Sequence, residues 1–371
     1  MTAITYDEFG PFKVIEVYEP SVGLRGTLVV DNVARGASIG GVRMAPDVST
    51  EECFRLARAM TFKNAAADLP HGGGKSVLYG DPAMPRRQKE ELVRAFACAL
   101  EEVEQYIFGP DMGTDEQCMG WVRDEIGRAV GLPREIGGIP LDEIGATAWG
   151  LLHAIKVACE HQERELAGTT VAIQGFGAVG KHTARFLAEE GAVIVAAADI
   201  RGTVSCAEGL DVSKLLAIKE ENGPVIDYPE GPGVSRGDAE SIIDVPCDIW
   251  IPAARPDVIR EDNVDRLQTS MVVSGANIPM TLGAEKTLHE RGVLCIPDFI
   301  ANAGGVICAA MEYQGASEGA AMDIIAEKLT YNVRRVLDIV RCDNCLPRQA
   351  AEEMAHRRVC RAMGLRRWSL F

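Results

Sequence analysis

The stretch from residue 169 to residue 200, TTVAIQGFGAVGKHTARFLAEEGAVIVAAADI, constrains the fold more than any other. A β-branched apolar run leads into a glycine turn, a helix-like segment follows, and a second apolar run ends on Asp199. Strand, helix and strand in that order predict a parallel sheet wound with helices, since parallel neighbours need a crossover. The turn is Gly175-Phe176-Gly177-Ala178-Val179-Gly180, a GxGxxG. In this setting the first glycine allows the tight turn and the second lets backbone approach a pyrophosphate. The third lets helix pack on strand. The helix N-terminus offers free N–H groups to phosphate. Asp199, nineteen residues after Gly180, matches an acid that meets the adenosine ribose, and Ile200 and Arg201 follow it. Its charge favours NAD over NADP, while Arg201 could accept a 2'-phosphate and pulls the other way.

A second unusual stretch is MTFKNAAADLPHGGGKSVLYGD, residues 60–81. Ser49 with Glu52 reads as a capping box that starts a helix. Cys53, Leu56, Ala57 and Met60 form its apolar stripe, and the next step reaches Lys63. A lysine on an inward face calls for an anion, although lysines also snorkel to water. Lys75 follows three glycines that let a ligand or strand come close to the backbone. A desolvated lysine can serve as a base near neutrality. A phosphate-binding P-loop is a poor match, because Leu69 stands where its first glycine belongs.

The rest of the chain reads as two α/β lobes. Residues 12–19 and 26–34 read as strands, 86–104 as a helix, and YIFGPDMGTDE as a strand breaking at Gly109-Pro110. Thr114 with Gln117 caps the next helix. PREIGGIP is a linker, and a helix over residues 141–161 follows it. Later strands are expected at 247–253, 270–276 and 292–298, with helices over 319–341 and 347–363. This gives an N-terminal α/β substrate-binding and oligomerisation domain over residues 1–138 and a Rossmann-type NAD-binding domain over 139–329. C-terminal helices from residue 330 to 371 pack back on the first domain. A net charge of −16 argues against nucleic acid and anionic membranes as partners. The N-terminus lacks the features of a signal peptide, and no apolar run approaches a membrane span. Eleven scattered cysteines suggest reduced thiols and a cytoplasmic setting. Cys342 and Cys345 make one isolated CxxC, and no metal cluster is evident.

TFKNAAADLPHGGGKSVL, GPDMGTDE, GFGAVG, SGAN and PDFIANAGGV, in this order, resemble the glutamate, leucine, phenylalanine and valine dehydrogenases. The resemblance implies reversible oxidative deamination of an L-amino acid to a 2-oxo acid and ammonia with NAD(P), by a homo-oligomer. By position, Lys63 is then the ligand of the substrate α-carboxylate and Lys75 the catalytic lysine that activates water. Asp111 shuttles protons with the amino group, and Gly40 and Gly41 line the substrate site. Thr147 and Asn277 meet the nicotinamide end, and Asn302 orients the substrate carboxylate. Thr147 also fits a core helix, and either asparagine a turn.

The glutamate enzymes carry a lysine before the glycine pair and a serine shortly after NAGG. Here Ile39 stands at the first place, and counting through Val306 brings Ala309 to the second. A second carboxylate in such a pocket costs several kcal/mol without a counter-ion. An apolar side chain gains about 1.5–3 kcal/mol from burial. Leucine, valine and isoleucine are therefore the expected substrates. Gly109 leaves room for phenylalanine, and glutamate is the further alternative. A hydroxy-acid or malic-type dehydrogenase would want a His–Asp relay or a metal cluster, and the histidines are dispersed. A silent NAD-binding sensor would lack Lys63, Lys75 or Asp111, and all three are present.

Overall fold

The computed structural model describes residues 6–365 of the chain. Residues 1–5, read above for a leader, and 366–371, the end of the C-terminal segment, lie outside the described residues. The chain forms two compact units. One comprises residues up to Leu141, Val306–Ala321 and the segment from Glu352; the other comprises Asp142–Gly305 and Met322–Ala351.

The first unit is built on a five-stranded sheet of β1 (Lys13–Glu19), β2 (Leu24–Asn32), β3 (Ser38–Ala45), β4 (Gly72–Tyr79) and β5 (Tyr106–Pro110). Their order is β1-β2-β4-β3-β5, with β3 parallel to both neighbours and the β1-β2 and β2-β4 pairs antiparallel. Helix α1 (Thr50–Ala66) covers one face; α2 (Arg86–Ala99) and α3 (Glu116–Ile126) cover the other. Side chains alternate between the faces with period two. Val42, Met44, Tyr106 and Phe108 enter the larger core with Phe96 and Trp121. Ile39, Gly41, Arg43, Ile107 and Gly109 therefore share the opposite face, as does Lys75 beside Val77. This alternation places the chemistry on one side of the sheet.

The local signals differ in detail from their sequence readings. Ser49 does cap α1, its Oγ accepting from the Glu52 N–H at 3.1 Å, but the Glu52 carboxylate turns to Arg43. The buried stripe of α1 runs through Cys53, Ala57, Thr61 and Asn64, which leaves Leu56, Met60 and Lys63 half-buried at its flank. Helix α2 stops at Ala99, short of residue 104. Strand β5 continues through Pro110, because an edge strand loses no outer ladder bond to proline. Asp115, not Thr114, caps α3; the Thr114 hydroxyl bonds the Val42 carbonyl instead.

The second unit holds a seven-stranded sheet of β6 (Thr170–Gln174), β7 (Val193–Asp199), β8 (Gly202–Cys206), β9 (Val234–Gly237), β10 (Ile249–Pro252), β11 (Met271–Val273) and β12 (Leu294–Ile296). The order is β12-β11-β10-β6-β7-β8-β9, parallel from β12 to β7 and antiparallel beyond. The two antiparallel strands had no clear sequence signal, being short and partly polar. Helix α4 (Ala146–His161) leads into the sheet, α5 (Ala178–Glu189), α6 (Val212–Glu220) and α7 (Leu282–Glu290) connect its strands, and the short α8 (Asp298–Ala301) follows β12. Helix α4 begins five residues later than its pattern suggested, after Gly145 in the left-handed region at φ 72°. Three further helices are α9 (Gly304–Tyr313), α10 (Glu318–Asp343) and α11 (Pro347–Leu365). From Glu352 onward α11 belongs to the first unit, where Arg358 donates to the Ala65 and Ala66 carbonyls at the end of α1. Among the described residues no helix is long and apolar enough to cross a membrane.

Candidate active site

In the first unit, β3, β4 and β5 bring Gly41, Lys75, Gly109 and Asp111 together. Gly41 and Gly109 are register partners, so the floor between them carries no side chain. A Cβ on Gly41 would lie 2.7 Å from the Asp111 Cβ and 3.2 Å from Lys75 Nζ. Glycine at that position keeps open the space beside the two charged groups. A Cβ on Gly73 would strike the Thr61 backbone at 2.0 Å, so the glycine run also lets α1 pack close to β4. Lys75 is buried, and its Nζ lies 2.6 Å from Asp111 Oδ2. Arg43 Nε donates to the same oxygen at 3.1 Å, and Arg43 Nη1 donates to Glu52 at 2.7 Å. Burial works to raise the Asp111 pKa, but Lys75 and Arg43 outweigh it and hold the carboxyl below its ordinary value.

Lys63 occupies the last turn of α1, where a cation is favourable at the helix C-terminus. It lies on the helix line through Glu52, Leu56 and Met60, the line whose first member reaches Arg43 on β3. Asn64, which the sequence reading passed over, is fully buried. Its Nδ2 donates to the Gly72 carbonyl at 2.7 Å and to the Ile39 carbonyl at 3.4 Å. One asparagine thus ties α1 to both glycine strands. From the opposite face the Tyr106 hydroxyl donates to the Gly40 carbonyl at 2.7 Å.

Ile39 is buried in register with Ile107 and Gly73, on the same face as Gly41. Val306 and Ala309 are half-buried on α9, on a stripe that continues to Tyr313, whose ring meets His71 edge-on at 6.1 Å. Above Gly109 the nearest side chain is Val130, 3.4 Å from where a Cβ would stand. Glu312, also unread in the sequence, is buried on α9. It accepts from the Gly131 and Leu132 N–H groups through Oε1 and from Ile139 N–H through Oε2. These bonds fasten the 131–139 segment behind Val130.

In the second unit, Gly175 adopts φ 97°, a conformation that favours glycine. Gly177 precedes the first turn of α5 and offers it no side-chain cap, and a Cβ on Gly177 would meet nothing within 4 Å. Free helix N–H groups facing open space fit a pyrophosphate. A cavity of about 1020 Å³ adjoins this turn, lined by Gly175, Gly177, Asp199, Arg201 and Lys219 among others. These residues fit a nicotinamide dinucleotide. Phe176 is buried beneath the turn, Ala178 and Val179 open α5, and Gly180 packs α5 against the Gly175 carbonyl. Ile200 is exposed. Asp199 is not a free acid: Oδ1 accepts from Arg201 N–H, while Oδ2 accepts from Lys219 Nζ at 3.0 Å and from Val225 N–H. The Lys219 charge weakens the repulsion on which the preference for NAD rested.

Thr147 is half-buried in the first turn of α4, its Oγ1 3.2 Å from where a Gly305 Cβ would stand. Asn302 and Asn277 are bonded to each other, Asn302 Nδ2 donating to Asn277 Oδ1 at 2.8 Å and to the Ala276 carbonyl at 3.3 Å. Asn302 Nδ2 also lies 3.4 Å from the Gly275 carbonyl. Buried Asp298, paired with half-buried Arg348, supports the same loop, since its Oδ2 accepts from the Ile278 N–H.

The chain matches the family model "Glutamate/Leucine/Phenylalanine/Valine dehydrogenase" over residues 137–367. It matches the model "Glu/Leu/Phe/Val dehydrogenase, dimerisation domain" over residues 13–128. It is 38% identical to a glutamate dehydrogenase of Aeropyrum pernix, covering 91% of this chain and 85% of that one. It is 36% identical to an NADP-specific glutamate dehydrogenase of Saccharolobus shibatae, covering 80% of this chain and 73% of the other. Its fold matches a crystal structure of the hetero-hexameric glutamate dehydrogenase from Thermus thermophilus in its Leu-bound form. The TM-score is 0.82 at 27% identity, over 97% of this chain and 91% of that one. The chain belongs to the glutamate/leucine/phenylalanine/valine dehydrogenase family, oxidoreductases of amino acids that use a nicotinamide dinucleotide.

Proposed function

We propose that the protein catalyses the reversible oxidative deamination of an L-amino acid to a 2-oxo acid and ammonia. The observation that carries this reading is the Lys75–Asp111 pair at 2.6 Å beside a floor of paired glycines. Lys63 binds the substrate α-carboxylate, and the Gly40-Gly41 backbone lines the bound amino acid. The cofactor, when bound, supplies the hydride acceptor. Asp111 takes a proton from the substrate amino group, and Lys75 activates the water that attacks the iminium carbon. Thr147 and Asn277 serve the nicotinamide end, with Asn302 orienting Asn277. A silent sensor is disfavoured by the intact set of Lys63, Lys75 and Asp111. Formation of NADH or NADPH across a panel of L-amino acids tests the reading; no turnover with any of them refutes it.

For the substrate side chain, the names of the relatives favour glutamate. A specific observation favours a second reading, an aliphatic substrate such as leucine, valine or isoleucine, with phenylalanine next. Ile39 and Ile107 are neighbours on the face that carries Lys75, and Ala309 stands where the resemblance asks for a serine. For the cofactor, we infer that the site takes both NAD and NADP: Asp199 favours the first, while its pairing with Lys219 and the adjacent Arg201 favour the second. A homo-oligomer is the proposed assembly, supported by the dimerisation-domain match. A cytoplasmic setting fits the eleven unpaired cysteines.

A further inference from the structure

Arg43 has no role in the scheme above, yet it is in direct contact with its centre. The guanidinium bridges two carboxylates, with Nε 3.1 Å from Asp111 Oδ2 and Nη1 2.7 Å from Glu52 Oε1. Lys75 Nζ also meets Oδ2, so the shortest contacts of both cations fall on one oxygen. Three elements converge here: β3 supplies Arg43, β4 supplies Lys75, and the end of β5 leads to Asp111. The first turn of α1 supplies Glu52, whose backbone the Ser49 cap fixes. Two basic and two acidic side chains alternate in this half-buried cluster, each basic group beside an acidic one. We propose that Arg43, anchored by Glu52, is a positioning residue that fixes the Asp111 carboxylate beside Lys75 in the orientation that meets the substrate amino group. This rests on the amino acid dehydrogenase reading of the site. A lysine at position 43 could not reproduce it, because one ammonium lacks the planar fork that reaches both carboxylates.

The clamp also bears on protonation. Arg43 and Lys75 hold Asp111 ionised against the effect of burial. Around Asp111 stand also the Met112 backbone N–H, which favours the ionised carboxylate, Glu52, one step beyond Arg43, and the Tyr106 hydroxyl from the far face of the sheet. Removing the guanidinium leaves Lys75 as the single cation on the carboxylate. Asp111 then becomes protonated at a higher pH, and the acid limb of kcat/KM moves up.

The test compares pH profiles of kcat/KM for wild type, Arg43→Met, Arg43→Lys and Glu52→Gln with the best amino acid found. Arg43→Met should raise the acid limb by about one pH unit and lower kcat/KM at neutral pH by at least about tenfold. Arg43→Lys should restore the limb in part but not the rate, and Glu52→Gln should show a smaller loss than Arg43→Met. An unmoved limb in Arg43→Met overturns the proposal, since a merely structural residue would lower activity without moving it. A crystal structure of Arg43→Met gives a readout independent of turnover: the Asp111 carboxylate should rotate away from its present bond to Lys75. An unchanged carboxylate overturns the proposal even if no amino acid is turned over, an outcome that by itself counts only against the dehydrogenase reading.

Discussion

Replacing Ile39 by lysine tests where the substrate side chain lies. Ile39 is two residues from Gly41 on the same face of β3, about 6.6 Å along the strand. The four-carbon stem of a lysine spans that distance and can bring an ammonium to the space beside the Gly41–Gly109 floor. A glutamate side-chain carboxylate held there without a counter-ion is unfavourable, and supplying one is worth about 3 kcal/mol, or roughly a hundredfold in kcat/KM. A leucine side chain meets the reverse change: it loses contact with Ile39 and gains a charge, at about 1–2 kcal/mol, or roughly tenfold. The ratio of kcat/KM for glutamate to that for leucine should therefore rise by at least about a hundredfold in Ile39→Lys. This holds whichever substrate the wild type prefers, because only the change in the ratio is used. Steady-state assays of both substrates with both proteins measure it. Burying a lysine at position 39 also costs stability, so NADH binding serves as the control for an intact second unit. A ratio within threefold of wild type would mean that Ile39 does not face the side chain.

Other perturbations follow from the same geometry. In Glu312→Gln the amide oxygen can still accept from one side, but the NH2 group then opposes an N–H donor on the other. One charge-assisted bond is lost and a buried donor is stranded, about 2–4 kcal/mol in all. Amide exchange at Gly131, Leu132 and Ile139 should speed up at least about tenfold, and unchanged exchange would show that these bonds do not hold the segment. Wild type should use NAD and NADP with kcat/KM values within about tenfold of each other, and Lys219→Met should move the ratio toward NAD by exposing the Asp199 charge. A hundredfold preference for NAD in wild type would contradict the neutralising role given to Lys219. Asn302→Ala should weaken binding of the reduced cofactor more than that of the amino acid, because Asn302 Nδ2 bonds Asn277; the opposite order would place Asn302 at the substrate carboxylate, as the resemblance implies.

Much of the site was legible because its signals are local. A glycine turn between an apolar strand and a helix needs no tertiary information, and the structure sets Gly175 in the left-handed region with α5 starting just after Gly177. Lys75 and Asp111 are thirty-six residues apart in sequence, and only the family resemblance joined them; the sheet order brings β4, β3 and β5 side by side. Arg43, Asn64 and Glu312 were illegible for one physical reason: each is polar and acts on groups that no helical or strand periodicity joins to it. Asp199 was identified as an acid at a strand end, but its partner Lys219 lies twenty residues on, at the end of a helix with only a weak apolar pattern. Thr114 gave a correct helix-start signal one residue early, because threonine and aspartate stand side by side and both can cap.

The most direct test of the central claim is turnover by Lys75→Met beside wild type. Wild type should form NADH or NADPH with at least one of glutamate, leucine, valine and phenylalanine. Lys75→Met should lower kcat by at least about a hundredfold, the usual worth of a positioned base, while dissociation constants for NADH and NADPH stay within twofold. Turnover of Lys75→Met within a few-fold of wild type would remove Lys75 from the mechanism and contradict the account built on its pairing with Asp111.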